Sequence, residues 1–295
     1  MEIIKETIIK KRPSLSQQSI KTYYSILKNL YKNVFGDEKP DVKDFEKSTK
    51  IIGYLKNLEP NKRKTVLSAL VIMTDDKAYR DLMLEDIEAC KTDTYKQEKT
   101  EAQKESWVDT SEIQELADKL KSHVSLIYKK KDLDMVDLQK IQNYIIICLL
   151  GGIYIPPRRS KDYVDFKIGD IDTSKDNYLL KNKLIYNSYK TSKTYSQQEI
   201  DCPKELVSIL KKWIKVNPTD YLLFDRNGSK LSNVKLTQRM NKLFDGKKVG
   251  VNQLRHTYLS DKYQATIKLN NEMADDLKAM GSSFQQNKVY VKKME

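Results

Sequence analysis

Cysteine and histidine are nearly absent from this chain of 295 residues. Cys90, Cys148 and Cys202 lie far apart, and the two histidines, His123 and His256, stand away from them. That spacing supports neither a disulfide framework nor a clustered Cys/His zinc site, so no metal and no cofactor is expected. Gly and Pro are also few, at 9 and 7, which excludes collagen-like and Pro/Gly-rich disordered chains and fits a globular protein. No stretch approaches the roughly 18 to 20 apolar residues that a membrane-spanning helix needs. The opening MEIIKETIIKKRPS mixes charges into its apolar residues, unlike the continuous apolar core of a secretory signal. The expectation is a protein inside a cell, with no membrane span.

Acidic residues are in deficit, 41 against 54 basic ones, giving a formal charge of +13. An excess of that size creates a positive field that favours nucleic acid as partner. A Lys-rich surface that only maintains solubility is the alternative, and charge alone does not separate the two.

What is present is mostly helical pattern. Leu15-Ser-Gln-Gln-Ser-Ile20 reads as a helix start, with Ser16 as N-cap and Leu15 packing on Ile20. Ile20, Tyr23, Leu27, Leu30, Tyr31 and Val34 follow at helical spacing until Gly36. Further helices are predicted at 44–58 and 61–73, the latter opened by Lys62, Arg63 and Lys64. The segment KTDTYKQEKTEAQKES holds no aliphatic residue larger than Ala, so it adds little to a core. It reads as a linker at 93–106 between a helical domain at 1–92 and a second domain at 107–295. An exposed helix within one domain is the alternative for it.

After Trp107 helices are predicted at 110–129 and 134–150, the second buried because Tyr144 to Leu150 is almost wholly apolar. The pieces YVDFKIGDI, NYLL, KLIYNS and YSQQEIDC then read as short strands separated by polar turns. Helical periodicity resumes at 204–216 and runs in three or four segments to the end, with a turn at Asp225-Arg-Asn-Gly228. The fold class is mainly α with a small antiparallel β-sheet (α+β).

Four features of the second half occur in a meaningful order. They are Pro156-Pro-Arg-Arg159 with Asp162, Lys190-Thr191 in a turn between strands, Asn252-Gln-Leu-Arg-His-Thr257, and Met280-Gly-Ser-Ser283 followed by Tyr290. Two guanidiniums suit the charge that builds on a phosphodiester under attack, because each stays charged and offers a planar fork of donors. An ammonium in a turn can protonate a leaving oxygen. This order resembles the catalytic domain of the tyrosine recombinase and integrase family over 107–295. The helical region before it looks like that family's core-binding domain.

The resemblance implies a two-domain clamp on double-stranded DNA. It casts Arg159 and Arg255 as phosphate ligands, Lys190 as general acid and Tyr290, nine residues after Gly281, as nucleophile. Tyr258 and Tyr263 follow Arg255 too closely to match. Arg158 stays open as the alternative to Arg159, and Lys193 as the alternative to Lys190. Asn252, His256 and Ser282 would support the site, and Lys62, Arg63 and Lys64 would face DNA phosphates. Two departures concern the proton of the tyrosine. Asn252 stands where the family commonly has histidine, and Ser282 where it commonly has histidine or tryptophan, and neither is a base near neutral pH.

The implied reaction is site-specific cleavage and rejoining through a 3′-phosphotyrosine, without nucleotide or metal. The resemblance also implies a homotetramer on paired DNA sites, although only Val291 to Glu295 follow Tyr290. Two alternatives remain: a type IB topoisomerase with the same chemistry, and a catalytically weakened DNA-binding protein on the same fold. The Pro-Pro-Arg-Arg form and the Lys/Asn/Ile-rich composition resemble integrase-like proteins of large DNA viruses and virophages, which implies viral genome integration in the cytoplasm or nucleus of a host cell.

Overall fold

Ser16 caps a helix as its side chain predicts: its hydroxyl accepts the Ser19 N–H at 3.1 Å, and α2 (Gln17–Phe35) ends at Gly36 with φ 88°. This helix belongs to the first of two compact units in the computed structural model, which divide between Lys99 and Thr100. The structure describes residues 2–36 and 40–283. The first unit is entirely helical among its described residues. Besides α2 it contains α1 (Glu2–Lys11), a 3-10 turn (Val42–Glu46), α3 (Ser48–Leu55), α4 (Pro60–Thr74) and α5 (Lys77–Tyr95). The single helix predicted over 44–58 is thus two pieces, broken at Lys47, whose ψ of 62° is not helical. Ile20, Leu27, Leu30 and Tyr31 of α2 bury against Leu67, Leu70 and Met73 of α4, so the periodic stripes read from sequence form the core.

Residues 93–106 are not extended coil. Helix α5 runs on to Tyr95, and α6 (Glu101–Ser106) begins with a reciprocal capping box between Thr100 and Gln103.

The second unit contains α7 (Thr110–Ile127) and α8 (Met135–Leu150). Ile145 to Leu150 are completely shielded, so a helix apolar on every face is explained by burial on every face. Next come α9 (Ser160–Val164), β1 (Phe166–Lys167), β2 (Asn177–Leu180), β3 (Lys183–Tyr186), α10 (Ser192–Tyr195) and β4 (Gln198–Asp201). The sheet order is β1-β2-β3-β4. The two hairpin pairs are antiparallel, but β1 runs parallel to β2, so the sheet is mixed. Tyr163 and Val164, expected in a strand, instead close α9. Asp162 lies in this turn and pairs with Arg158, which precedes the helix by two residues.

The remaining elements are α11 (Lys204–Val216), α12 (Asn233–Leu243) and α13 (Val251–Ala279). The turn at Asp225 is held by its own carboxylate, which accepts the N–H groups of Asn227 at 2.8 Å and Ser229 at 3.1 Å. Trp213 of α11 stacks on Phe224 at 5.8 Å and donates to the Leu222 carbonyl at 2.8 Å. Buried Gln142 of α8 both donates to and accepts from the Phe224 backbone, replacing a strand partner. From Lys204 onward the described residues form three helices, the last bent at Tyr263 (φ −118°, ψ 15°) into two parts, in keeping with the three or four helical segments expected. No helix among the described residues is long and apolar enough to cross a membrane.

Candidate active site

The site is organised by one buried carboxylate. Asp162 lies in the single turn of α9 and is only 2% exposed. Its Oδ2 accepts Arg158 Nε at 2.8 Å, while its Oδ1 is buried with no hydrogen-bond partner among the described residues. Burial pushes this carboxyl above its ordinary range, and Arg158, Arg159 and Arg255 each pull it back down. All three guanidiniums therefore lie within electrostatic reach of one carboxylate, although Arg255 is far along the chain from the other two. Three positive charges against one negative leave a net positive cluster, the arrangement that holds an anionic group.

The two neighbouring arginines are used differently. Arg158 is committed: besides Asp162 it donates through Nη1 to Gln198 Oε1 at 2.8 Å, and its guanidinium lies over the rings of Tyr186 at 4.1 Å and Tyr189 at 5.0 Å. Arg159 is the N-cap residue of α9, with extended backbone (φ −71°, ψ 153°). No hydrogen bond or ion pair of its side chain occurs among the described residues, so its fork of donors is unspent.

Arg255 is delivered by the first turns of α13. Leu254 and Thr257 turn inward, and the Thr257 hydroxyl donates to the Val108 carbonyl at 2.8 Å. Gly152 provides a second fastening point: it has φ +78°, and a Cβ there would lie 2.7 Å from the Tyr258 ring, so only glycine allows α13 this close approach. With that face buried, Asn252 and His256 project outward and are exposed, and Arg255 lies between the two faces. Asn252 Oδ1 lies 3.5 Å from Arg255 Nη1, the long limit of a hydrogen bond, so it steers the guanidinium only weakly.

Lys190 follows buried Tyr189 in the connection between β3 and β4, and Lys193 lies within α10. Both are exposed, and neither has an ion pair among the described residues. The roots of this connection are firmly held. Asn177 is fully buried and makes four bonds: its amide donates to the carbonyls of Asp162 (3.0 Å) and Ser188 (2.9 Å), and its oxygen accepts the N–H groups of Asn187 (2.9 Å) and Ser188 (2.8 Å). The Tyr189 hydroxyl donates to the Ser196 carbonyl at 2.7 Å.

Ser282 lies just beyond the C-terminal end of α13. Gly281 (φ +70°) and Ser282 end α13 in a Schellman arrangement, with Ser282 N–H on the Leu277 carbonyl and Gly281 N–H on that of Lys278. Ser282 thus follows the far end of the helix whose first turns carry Arg255. Tyr290 lies outside the described residues.

In the first unit, Lys62 and Lys64 open α4 without ion pairs among the described residues, Lys62 exposed and Lys64 half-buried. Arg63 differs. It forms a two-pronged pair with buried Asp86 of α5, at 2.6 and 2.8 Å, and so fastens α4 to α5 rather than facing outward.

Sequence reasoning missed Asn177, Tyr186, Tyr189 and Gln198. Each is an ordinary residue in a strand or turn, and only the folded hairpin puts Tyr186, Tyr189 and Gln198 around Arg158 and Asn177 between α9 and the connection that carries Lys190. Among the described residues no group of three or more His, Cys, Asp or Glu is placed to hold a metal ion.

No protein-family model matches the sequence, and no curated protein sequence matches it significantly. Solved structures show a distant likeness. A lambda integrase(75-356) dimer bound to a COC′ core site is 14% identical, with TM-score 0.49 over 89% of this chain and 88% of that one. XerH site-specific recombinase in a pre-cleavage complex with its difH substrate is 15% identical, with TM-score 0.40 over 99% and 92%. XerA recombinase is 13% identical, with TM-score 0.37 over 88% and 83%.

Proposed function

We propose that this chain is a DNA strand transferase of the tyrosine recombinase type. The observation that carries the reading is the arginine pair at the start of α9: Arg158 is bonded to the buried Asp162 at 2.8 Å, while the Arg159 side chain has no hydrogen bond or ion pair among the described residues, beside a carboxylate that Arg255 also influences. In the proposed reaction these two arginines hold the nonbridging oxygens of a scissile phosphate. The Tyr290 phenol loses its proton to solvent, and its oxygen bonds to phosphorus as the bond to the 5′ oxygen breaks. Lys190 gives its proton to that departing oxygen, leaving a 3′-phosphotyrosine and a 5′-hydroxyl. Attack by a 5′-hydroxyl then reverses the step and rejoins the strand. Bond energy is conserved in the covalent link, so the reaction needs no nucleotide.

The stretches 1–92 and 107–295 act in this reading as a DNA-gripping domain and a catalytic domain, with Lys62 and Lys64 on phosphates, and recombination proceeds between paired sites held by four copies. Binding weakens steeply with salt, as it does for any contact made largely through phosphates.

The test uses the full chain and a pool of nicked, randomised duplexes, from which the short fragment bearing the new 5′-hydroxyl escapes after cleavage, so that the enzyme stays trapped on the DNA. Covalent adducts resistant to denaturant, recovered and sequenced, would reveal the preferred site. Adducts from wild type and none from Tyr290→Phe support the proposal. DNA binding without any adduct would favour a second reading, a DNA-binding protein that has lost catalysis, which Asn252 and Ser282 motivate because neither is a base near neutral pH.

A further inference from the structure

We infer that Arg158 is a positioning residue, which holds the lysine-bearing connection between β3 and β4 against α9 and so sets the place of Lys190. This rests on the strand-transfer reading above. The argument begins with how one guanidinium is shared. Its Nε is spent on Asp162 in α9, at 2.8 Å, and its Nη1 on Gln198, the first residue of β4, at 2.8 Å. Its flat face lies over Tyr186, the last residue of β3, at 4.1 Å, and over Tyr189 at 5.0 Å. A single side chain thus touches both arms of the connection and the helix that carries Arg159.

Lysine could not replace it. An ammonium has neither the planar face for two rings nor the fixed fork that reaches two acceptors at once. Lys190 immediately follows Tyr189, whose ring and hydroxyl are both engaged, so its backbone is anchored on the side nearer Arg158. Lys193 lies farther from Tyr189, in the middle of the same connection, on the short exposed α10. The arrangement therefore favours Lys190 as the residue whose reach Arg158 controls.

Positioning through a general acid can be told apart from phosphate binding by changing the leaving group. With oxygen at the 5′ bridging position, the broken P–O bond leaves an alkoxide that must take a proton. With sulfur there, the P–S bond breaks and the thiolate departs without one, because a thiol's pKa near 8.5 is far below that of an alcohol. The full-length chain would be assayed for adduct formation on its selected duplex in both forms.

Arg158→Ala should slow adduct formation on the oxygen duplex by about 10²-fold, the lower end for losing a general acid. On the sulfur duplex it should return to within a few-fold of wild type, as Lys190→Ala should. Arg159→Ala should be slow on both. Gln198→Ala removes one contact and leaves the buried ion pair intact, so it should give a milder defect with the same rescue; this variant tests the idea even if Arg158→Ala folds poorly. Slow reaction of both Arg158→Ala and Gln198→Ala on sulfur, full speed of both on oxygen, or sulfur rescue of Lys193→Ala in place of Lys190→Ala would overturn the inference and leave strand transfer standing. A wild-type chain that forms no adduct would overturn strand transfer itself, and the inference with it.

Discussion

Asp86 in the first unit and Asp162 in the second are each 2% exposed and each hold an arginine, yet they serve opposite ends. Both oxygens of Asp86 are taken by Arg63 with the fork geometry complete, and Glu59 and Glu85 lie within electrostatic reach of the same guanidinium, so no positive charge is in excess there. Asp162 has one oxygen on Arg158, one without a partner among the described residues, and two further arginines within electrostatic reach. The first is a closed pair that joins two helices. The second is overcharged, and an added anion would complete it. Burial of a carboxylate beside arginine therefore does not by itself mark a functional site; the balance of charges and unmet donors does.

The largest expected effect tests the closed pair. Arg63→Ala strands Asp86 without its partner and should cost about 3–5 kcal/mol of stability by urea unfolding. A loss under about 1 kcal/mol would mean that the pair contributes little to holding α4 on α5. On the open cluster the expected loss lies in rate. Arg159→Ala and Arg255→Ala should each slow adduct formation by about 10²–10³-fold, as removal of a group aimed at developing charge does. Their unfolding free energies should stay within about 0.5 kcal/mol of wild type, and a large stability loss would make these arginines structural like Arg63.

A smaller effect should come from simple anions. Sulfate at about ten times its dissociation constant should stabilise wild type by about 1.4 kcal/mol. Arg159→Ala and Arg255→Ala should lose that gain in thermal melts, while Arg63→Ala keeps it. Equal stabilisation of all the variants would place the sulfate elsewhere.

The smallest effect concerns pH. Burial raises the Asp162 carboxyl above its ordinary value, so folding favours its protonated form. Its contribution to stability is full below the unfolded value of about 3.9 and declines as pH rises through the raised folded value. The stability difference between wild type and Asp162→Asn should therefore move against wild type as pH climbs from about 3 to 7. A difference that moved towards wild type over that range would show that the arginines outweigh burial.

Much of the secondary structure was legible because its causes are local. Ser16, Gly36, Pro60 and the Asp225 turn act through their own backbone, and the α8 run from Ile145 to Leu150 declares its burial by being apolar on every face. Tyr163 and Val164 misled because β-branched and aromatic residues suit strands, while the tertiary pairing of Arg158 with Asp162 accompanies a helical turn there. Residues 264–279 contain no Gly or Pro to stop a helix, and the chain continues helical through the bend at Tyr263 to Ala279.

By itself the sequence determined the residue types and their order: arginine, hairpin lysine, Asn-x-x-Arg-His, glycine, tyrosine. It also determined a positive charge suited to a polyanion. Tertiary structure decided which arginine is free and which is spent. Arg158 and Arg159 are adjacent and chemically identical, so no pattern in the sequence separates them. Only the folded hairpin, by placing Tyr186, Tyr189 and Gln198 against one guanidinium and not the other, does so, because hydrogen bonds and ring contacts depend on positions in space that distant segments set together.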